Sequence, residues 1–579
     1  MPVDGITLYA LVSEMQNQVI EAKIDKIYQP TFYEILFFLR RGRHEVRLLL
    51  SCHPLNFRIS LLKKEVKENP AVPPPFCMLL RKLLNGGRIV KISQLSLERI
   101  VTIKIENLNE YGKIKNYYLI VELMGKHSNI ILLDEEGTIL DSIKKIGSDV
   151  NRVREIVPGE KYIYPPLTER VNFIEDSEEN LSLLMNLKRN EIDPNFDWEK
   201  WIVENFSGFS KLAASEIIFR SKTEGKEISQ TLIELKNNLI NHHISPVIYY
   251  EKQSKKPLDF WIFPLSRFKS NYSEKKVETA NDVIEIFYNE KEAFEKFTSV
   301  KNNLIKQLQE YLKKQSKILS QKQENLADTK NKDKYKIYGE LILANSYRIK
   351  QGEREVKLLN FYDGNEMIIP LDEKLNPSQN AQKYFNLYKK LSTKEKVLME
   401  QIEKIKQEID YIENTIFSVE NAENLLELLE IESELEKEGI IKTSQNNKEK
   451  IKPSEPMKFI SSEGFTILVG KNNRQNDYIT FKKANPEDIW AHVKNFPGSH
   501  VVVLTEGKNV KDSTLLEACM LAAYFSKARY GSKVAVDYTL KKFVKKPQGA
   551  KPGYVIYDNF KTLFVTPDPE KINKLFLKD

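Results

Sequence analysis

Leu398, Ile402, Ile405, Ile409, Ile412, Ile416 and Val419 alternate steps of four and three along the chain. Over three heptads that spacing places every apolar side chain on one narrow stripe of an α-helix, the seam of a coiled coil. A second stripe, Phe297, Val300, Leu304, Leu308, Tyr311 and Ile318, precedes it. Both arms lie in one chain and a compact segment separates them, so the spacing predicts an antiparallel hairpin rather than a parallel dimer. Arms of about 40 residues at 1.5 Å per residue give a rod on the order of 60 Å, long enough to join distant sites. A dimerisation coil is the plainer alternative for the same heptads.

The rod occupies only part of 579 residues, more than one hydrophobic core serves, so several domains are expected around it. Ahead of it, Ile6 to Asn17 reads as an amphipathic helix. Short alternating runs follow (IDKIYQP, YEILFFLRR, EVRLLLSCH), then a helix near Pro75 to Leu84 and more strands (RIVKISQ, RIVTIKIEN, YYLIVELMG, NIILLD). The strand pattern ends at the VPGEKYIYPP turn, and residues 1–174 form a β-rich first domain. Residues 175–245 have helical periodicity, and the glycine turn in Asn205-Phe-Ser-Gly-Phe-Ser-Lys reads as a helix-hairpin-helix or an ordinary helical hairpin. The former offers backbone amides at a helix N-terminus to phosphate. Residues 246–283 (PVIYYE, DFWIFPL) read as strands returning to the first domain, and 284–440 as the coiled-coil hairpin with its middle insert. Residues 441–455, with the lysine-rich TSQNNKEKIKPSEP, read as a linker. Residues 456–579 hold six strand-like runs around one helix, Ser513 to Tyr530. The fold class is therefore multidomain α+β: a β-rich N-terminal domain, a helix-hairpin-helix, a long antiparallel coiled-coil hairpin and a small C-terminal α+β domain.

The formal net charge of +8 matters only where it is concentrated, because phosphate binding depends on local Lys/Arg clusters. Lys541, Lys542, Lys545, Lys546 and Lys551 form one such cluster, with Lys471 and Arg474 nearby in the same domain. Trp490, His492 and Tyr478 are candidates to stack on exposed bases, with Asn472 and Asn473 in polar loops beside them. A buried Trp490 and a solvated lysine face are the plainer reading. Cys52, Cys77 and Cys519 are widely spaced and form no metal-ligand pattern, which argues against a disulfide framework and a zinc finger. The first residues, MPVDGITLYALVSEMQNQ, carry acids and no long apolar core, so no membrane partner and a cytoplasmic location are expected. No Gly-rich nucleotide loop, catalytic triad or metal cluster is legible, and neither catalysis nor a cofactor is expected.

Two long motifs carry a resemblance: Val469-Gly-Lys-Asn-Asn-Arg-Gln-Asn-Asp-Tyr and Asp488-Ile-Trp-Ala-His-Val-Lys-Asn-Phe-Pro-Gly-Ser-His. Val534-Ala-Val-Asp-Tyr-Thr and Val544-Lys-Lys-Pro-Gln-Gly-Ala-Lys-Pro-Gly agree with them. So do Asp4-Gly5, Glu122-Leu-Met-Gly-Lys-His-Ser-Asn-Ile, Pro158-Gly159, Tyr164-Pro-Pro, Tyr338-Gly-Glu-Leu and Leu375-Asn-Pro-Ser-Gln-Asn-Ala-Gln-Lys-Tyr-Phe. From end to end the chain resembles the NFACT family of ribosome quality-control factors, which includes RqcH, NEMF and the fibronectin-binding-protein-like sequences, and is most like bacterial RqcH. The resemblance implies a scaffold that binds large (50S) ribosomal subunits obstructed by peptidyl-tRNA. It implies recruitment of alanyl-tRNA and untemplated C-terminal alanine tailing of the stalled chain, with the ribosome making the peptide bonds. Its implied partners are rRNA, tRNA and a small RqcP-like accessory RNA-binding protein.

The resemblance also implies two tRNA-reading motifs. The family's acidic-basic pair, normally Asp-Arg, falls on Glu98 and Arg99, where one added methylene moves the carboxylate about 1.5 Å. The second comprises Glu122, Leu123 and Met124 followed by Lys126 and His127. Two other classes remain as alternatives. A surface adhesin follows from the family's older name. A DNA glycosylase would use Pro2 as its amine nucleophile, but Val3 stands where such enzymes place glutamate, and their four-cysteine zinc finger has no counterpart.

Overall fold

The computed structural model describes residues 3–575 except 64–69, 71, 109–110, 148–153, 167–168, 190–195, 269–270 and 443–453. Pro2 and most of the expected linker therefore lie outside the described residues. The chain divides into two compact units, Met1–Phe294 and Glu295–Asp579.

In the first unit, helix α1 (Gly5–Val19) is followed by β1 (Lys23–Thr31), β2 (Glu34–Arg41), β3 (His44–Ser51) and β4 (Arg58–Leu61). Helix α2 (Pro75–Leu84) leads into β5 (Arg88–Gln94), β6 (Ile100–Leu108), β7 (Ile114–Glu122), β8 (Asn129–Leu133) and β9 (Ile139–Ser142). The strands form one sheet in the order β4-β3-β2-β1-β5-β6-β7-β8-β9, two antiparallel meanders joined where Lys23 pairs with Arg88. Alternate residues point to opposite faces of a strand, and both faces of the second meander are apolar. Val101, Ile103, Leu119, Val121, Ile130 and Leu132 join the main core with Leu8, Leu11 and Met15 of α1. Ile100, Ile120, Ile131 and Leu133 form a second cluster, against which Met124 and Tyr162 pack.

Helices α3 (Glu178–Arg189), α4 (Trp198–Asn205), α5 (Lys211–Glu224) and α6 (Ile228–Ile240) follow, then β10 (Val247–Tyr250), β11 (Pro257–Trp261) and β12 (Ser273–Lys276). Phe206, Ala213, Tyr249, Phe260 and Trp261 belong to the same core as α1. Helix α7 (Ala280–Ala327) begins in this unit. Its Asn281 side chain accepts from Leu61 N (2.6 Å) and donates to Leu61 O (2.9 Å), closing the edge strand β4 as another strand would.

The second unit takes up the later turns of α7, then α8 (Lys332–Ala344), a hairpin of β13 (Glu355–Leu359) and β14 (Glu366–Pro370), α9 (Pro377–Asn421) and α10 (Leu425–Lys437). The 48 and 45 residues of α7 and α9 make helices about 70 Å long. They run antiparallel: Lys301 reaches Glu420 O (2.6 Å) and Tyr311 reaches Glu408 (3.1 Å), so position rises on one helix as it falls on the other. Leu304 and Leu308 pack with Ile412 and Val419. Gly339 of α8 lies against the Phe385 ring, which a Cβ there would approach to 2.8 Å. Helix α10 is a third helix folded onto the seam through Leu428, Ile431 and Leu435.

The C-terminal module has strands β15 (Met457–Ile460), β16 (Thr466–Val469), β17 (Ile489–Val493), β18 (Val501–Leu504), β19 (Val534–Leu540) and β22 (Lys561–Val565). Between them come α11 (Asn473–Tyr478), α12 (Asp512–Tyr524) and the short pair β20 (Val544–Lys545) and β21 (Ile556–Tyr557), with α13 (Pro569–Leu575) at the end. The six strands form an antiparallel sheet, β15-β16-β18-β17-β19-β22. Helix α12 covers one face with Ala518, Cys519 and Leu521 over Val469, Val493 and Val503. It stops at Tyr524, short of the expected Tyr530, because Ser499 N bonds Phe525 O and Lys527 N bonds Pro497 O (both 2.9 Å), drawing the chain out of the helix.

Candidate nucleic-acid interface

Two other backbone segments of the first unit converge on Gly5. Gly5 N and Ile6 N donate to Gly208 O (3.0 and 3.3 Å), and a Cβ on Gly5 would stand 1.9 Å from Leu97 O and 2.5 Å from the Gly208 Cα. Only glycine permits that approach. Asp4 caps α1 by accepting from Thr7 N (2.8 Å) and takes a second bond from the Ser210 hydroxyl (2.7 Å). Ser210 in turn caps α5, so one buried carboxyl fastens two helix N-termini together. Burial raises the Asp4 pKa, against the lowering effect of these bonds.

The β5–β6 turn on this anchor carries Glu98 and Arg99. Ser96 and Leu97 both have positive φ (38° and 61°), a strained pairing for non-glycine residues. Glu98 N closes the turn onto Leu95 O (2.6 Å), while the Gln94 amide donates to both Gly5 O and Glu98 O (2.9 Å each). Both side chains of the pair are half-buried. Burial pulls the Arg99 pKa down, while the charges of Glu98 and Asp4 hold it up and Arg170 opposes them. The result is a guanidinium and a carboxylate on a rigid turn, able to offer donors and acceptors together.

Leu123 N donates to Arg99 O (2.9 Å), which ties the second motif to the first. Here the expectation is corrected in part. Glu122 is only 1% exposed, because its carboxylate is gripped by both terminal nitrogens of Arg154, one at 3.2 Å, and accepts from the Tyr162 hydroxyl (2.7 Å). Burial, reinforced by the Glu122 charge, raises the Tyr162 pKa. Leu123 is wholly buried in the main core. Neither presents a side chain to a ligand. What faces outward is the turn they hold: Met124, half-buried, with its N–H on Ser128 Oγ (2.8 Å), and Lys126 and His127, both exposed. Arg154 and Tyr162 went unnoticed in the sequence, where nothing in their spacing links them to Glu122.

The C-terminal module is corrected more extensively. Lys471 pairs with Glu427 (2.9 Å) and Arg474 with Glu434 (3.8 Å). Asn472 donates to Glu430 (3.1 Å) and Asn473 to the Thr415 hydroxyl (2.9 Å). Lys551 pairs with Glu438 (2.9 Å) and Glu408 (3.8 Å). These residues therefore face α9 and α10 of their own chain, because the carboxylates of α10 recur every three or four residues along one helix face. Trp490 is a fully buried core residue, and His492, half-buried, lies parallel to it with ring centres 5.9 Å apart. Burial lowers the pKa of both His492 and His500, leaving neutral rings. Of the expected lysine cluster, Lys542, Lys545 and Lys546 are exposed, as is Tyr478, and Lys542 pairs with Glu487 (3.0 Å). Lys545 meets Asp558 only at 3.9 Å, and Lys546 pairs with Asp477.

Among the described residues no cluster of three metal-ligating side chains occurs, the three cysteines are buried thiols, and no helix is long and apolar enough to cross a membrane. Residues 4–454 match the family model for NFACT N-terminal and middle domains, and residues 456–559 match the NFACT protein RNA binding domain. The chain is 35% identical over 582 residues to "Rqc2 homolog RqcH" of Bacillus subtilis and 36% identical over 580 residues to that of Streptococcus suis. Each alignment covers 99% of this chain and 100% of the relative. An archaeal Rqc2 homolog from Methanocaldococcus jannaschii is 25% identical over 91% of this chain and 81% of its own. Among solved structures, the C-terminal part of the fibronectin/fibrinogen-binding protein from Streptococcus suis is 36% identical, covering 49% of this chain and 100% of that one, with a TM-score of 0.40.

Proposed function

Because the chain belongs to the NFACT family of ribosome quality-control factors that includes RqcH, we propose that it binds large ribosomal subunits obstructed by peptidyl-tRNA and recruits alanyl-tRNA to them. The recruited tRNA feeds untemplated alanine tailing of the stalled chain, which marks it for degradation. Peptide bonds form at the ribosome's own centre. The chain contributes position, raising the effective concentration of one charged tRNA where no message directs it. It acts in the cytoplasm, with a small accessory RNA-binding protein as a further partner.

The observation that carries this reading is the Glu98–Arg99 turn, fixed by Gly5, Gly208 and Gln94 and tied through Leu123 N to the turn of Met124, Lys126 and His127. A carboxylate beside a guanidinium answers both donors and acceptors of a base edge, which a basic patch alone does not. Glu122 and Leu123 serve as positioning residues beneath it. In the C-terminal module, Lys545, Lys546 and Tyr478 supply RNA contacts independent of sequence.

The test is sequencing of tRNA recovered with purified complexes. Glu98→Ala with Arg99→Ala abolishes enrichment of the cognate tRNA while large-subunit binding persists. Glu98→Asp, the residue usual in the family, retains it. Wild-type tRNA yield from the double-alanine protein refutes the assignment.

A further inference from the structure

Within the second unit, α9 and the C-terminal module line an open pocket of about 440 Å³, the size of a small-molecule site. Its floor is aromatic. Trp490 and His492 lie parallel, Tyr557 leans on Trp490 with ring centres 4.9 Å apart, and His500 stands edge-on to both Trp490 (5.2 Å) and His492 (5.5 Å). Trp490 and His500 are wholly buried behind this floor, whereas His492 and Tyr557 are half-buried. Phe496, 50% exposed, and Tyr554 flank the cavity.

The polar groups narrow the ligand. Asp410 and Glu413 line the α9 wall, and the neutral histidines supply no compensating cation, so a phosphate is repelled. A purely apolar ligand leaves those carboxylates unmatched. Asn476 also lines the cavity; its Oδ1 accepts from His500 N (3.0 Å), and among the described residues its Nδ2 has no partner. That amide wants an acceptor, which an arginine or lysine side chain lacks and a nucleobase has. A flat ring with an amine for the carboxylates, a ring acceptor for the amide and a face for the aromatic floor meets all three demands.

We propose that this cavity takes one unpaired, amine-bearing nucleobase of a bound RNA strand, stacked among His492, Tyr557, Tyr554 and Phe496, with its amine edge toward Glu413. The proposal rests on the reading of the C-terminal module as RNA-binding and deepens it. The strand's phosphates stay outside, toward the exposed lysines.

The experiment uses the full chain and fluorescence anisotropy with labelled octacytidylate and octauridylate, pyrimidine strands that differ at the base edge: cytosine carries the N4 amine and an N3 acceptor, uracil the O4 carbonyl and an N3–H. Octacytidylate binds more tightly. Phe496→Ala and Tyr554→Ala, two partly exposed positions, each weaken it about tenfold, the scale of one lost base–aromatic stack. The salt dependence is unchanged because no phosphate contact is touched. Glu413→Gln reduces the preference for cytosine, and matching melting temperatures confirm that the variants fold. If wild type and both alanine variants bind octacytidylate equally, the cavity assignment is overturned while the RNA-binding reading stands. If wild type binds neither strand at low salt, that reading itself fails. Cytidine monophosphate binding as tightly as the octamer assigns the cavity to a free nucleotide, and displacement of octacytidylate by N-acetyl-arginine amide assigns it to a protein side chain. Either result overturns the proposal.

Discussion

Replacing Arg154 by alanine leaves the Glu122 carboxylate, 1% exposed, with the Tyr162 hydroxyl as its remaining donor among the described residues. Breaking a buried ion pair from one side costs about 3–5 kcal/mol, since the abandoned charge stays desolvated. The Arg154 side chain is itself 13% exposed, so water reaches the gap and the lower end, about 3 kcal/mol, applies. Replacing both partners with leucine removes the stranded charge and recovers part of that loss. About 2 kcal/mol remains for two lost bonds, the Tyr162 hydroxyl to Glu122 (2.7 Å) and Arg154 Nε to Ile163 O (2.6 Å). The readout is backbone hydrogen exchange across β7 and β8, which follows local opening: Arg154→Ala speeds it about a hundredfold, at 1.4 kcal/mol per factor of ten. Unchanged protection in Arg154→Ala, or a leucine pair no better protected than the single variant, refutes the view that Glu122 holds the turn through Arg154.

Replacing Lys545 and Lys546 with alanine weakens single-strand RNA binding at low salt and lowers the slope of log affinity against log salt by about 1.4, from 0.7 per lost phosphate contact; an unchanged slope counts against their role. Deleting residues 315–404 and closing the gap with a short Gly-Ser turn keeps the Tyr311–Glu408 contact and leaves tRNA binding, but removes sedimentation with large subunits. Cosedimentation that survives shows that the rod is not the bridge. Burial holds the folded-state pKa of His500 well below the ordinary 6.5, so the unfolded chain takes up a proton first as pH falls. This contribution to stability is present above about pH 6.5 and is lost progressively as pH falls below it toward the folded-state pKa. His500→Gln should therefore lose less stability than wild type between pH 7.5 and 5.5 in urea unfolding, and equal losses contradict the buried neutral ring.

Local signals made much of the fold legible. The helix expected near Pro75 to Leu84 is α2, Pro75–Leu84, which proline opens and Gly86-Gly87 follow. The heptads gave the antiparallel pair, but α10 folds onto the same seam after a break at Ala422–Asn424, and a stripe of apolar residues does not say how many helices share it. The candidate sites were legible as positions and less so as orientations. Lys471 and Arg474 look alike in sequence whether they meet phosphate or carboxylate. The signal that separates the two was present in Glu427, Glu430, Glu434 and Glu438, one acidic face on α10. Glu122 follows the apolar run Leu119–Val121 at the end of its strand, and its partner Arg154 stands 32 residues away, beyond any local pattern. Gly5 is different: the motif marked it, but only the close approach of Leu97 O explains why a side chain is excluded there.

The central claim is that this chain holds a chosen tRNA on an obstructed large subunit, and sequencing the RNA that copurifies with the intact protein from its native cell tests it most directly. The account predicts large-subunit rRNA without matching small-subunit rRNA, together with tRNA enriched for the alanine acceptor. Recovery of both subunits in equal measure, or of tRNA in the proportions of the whole cell, contradicts it.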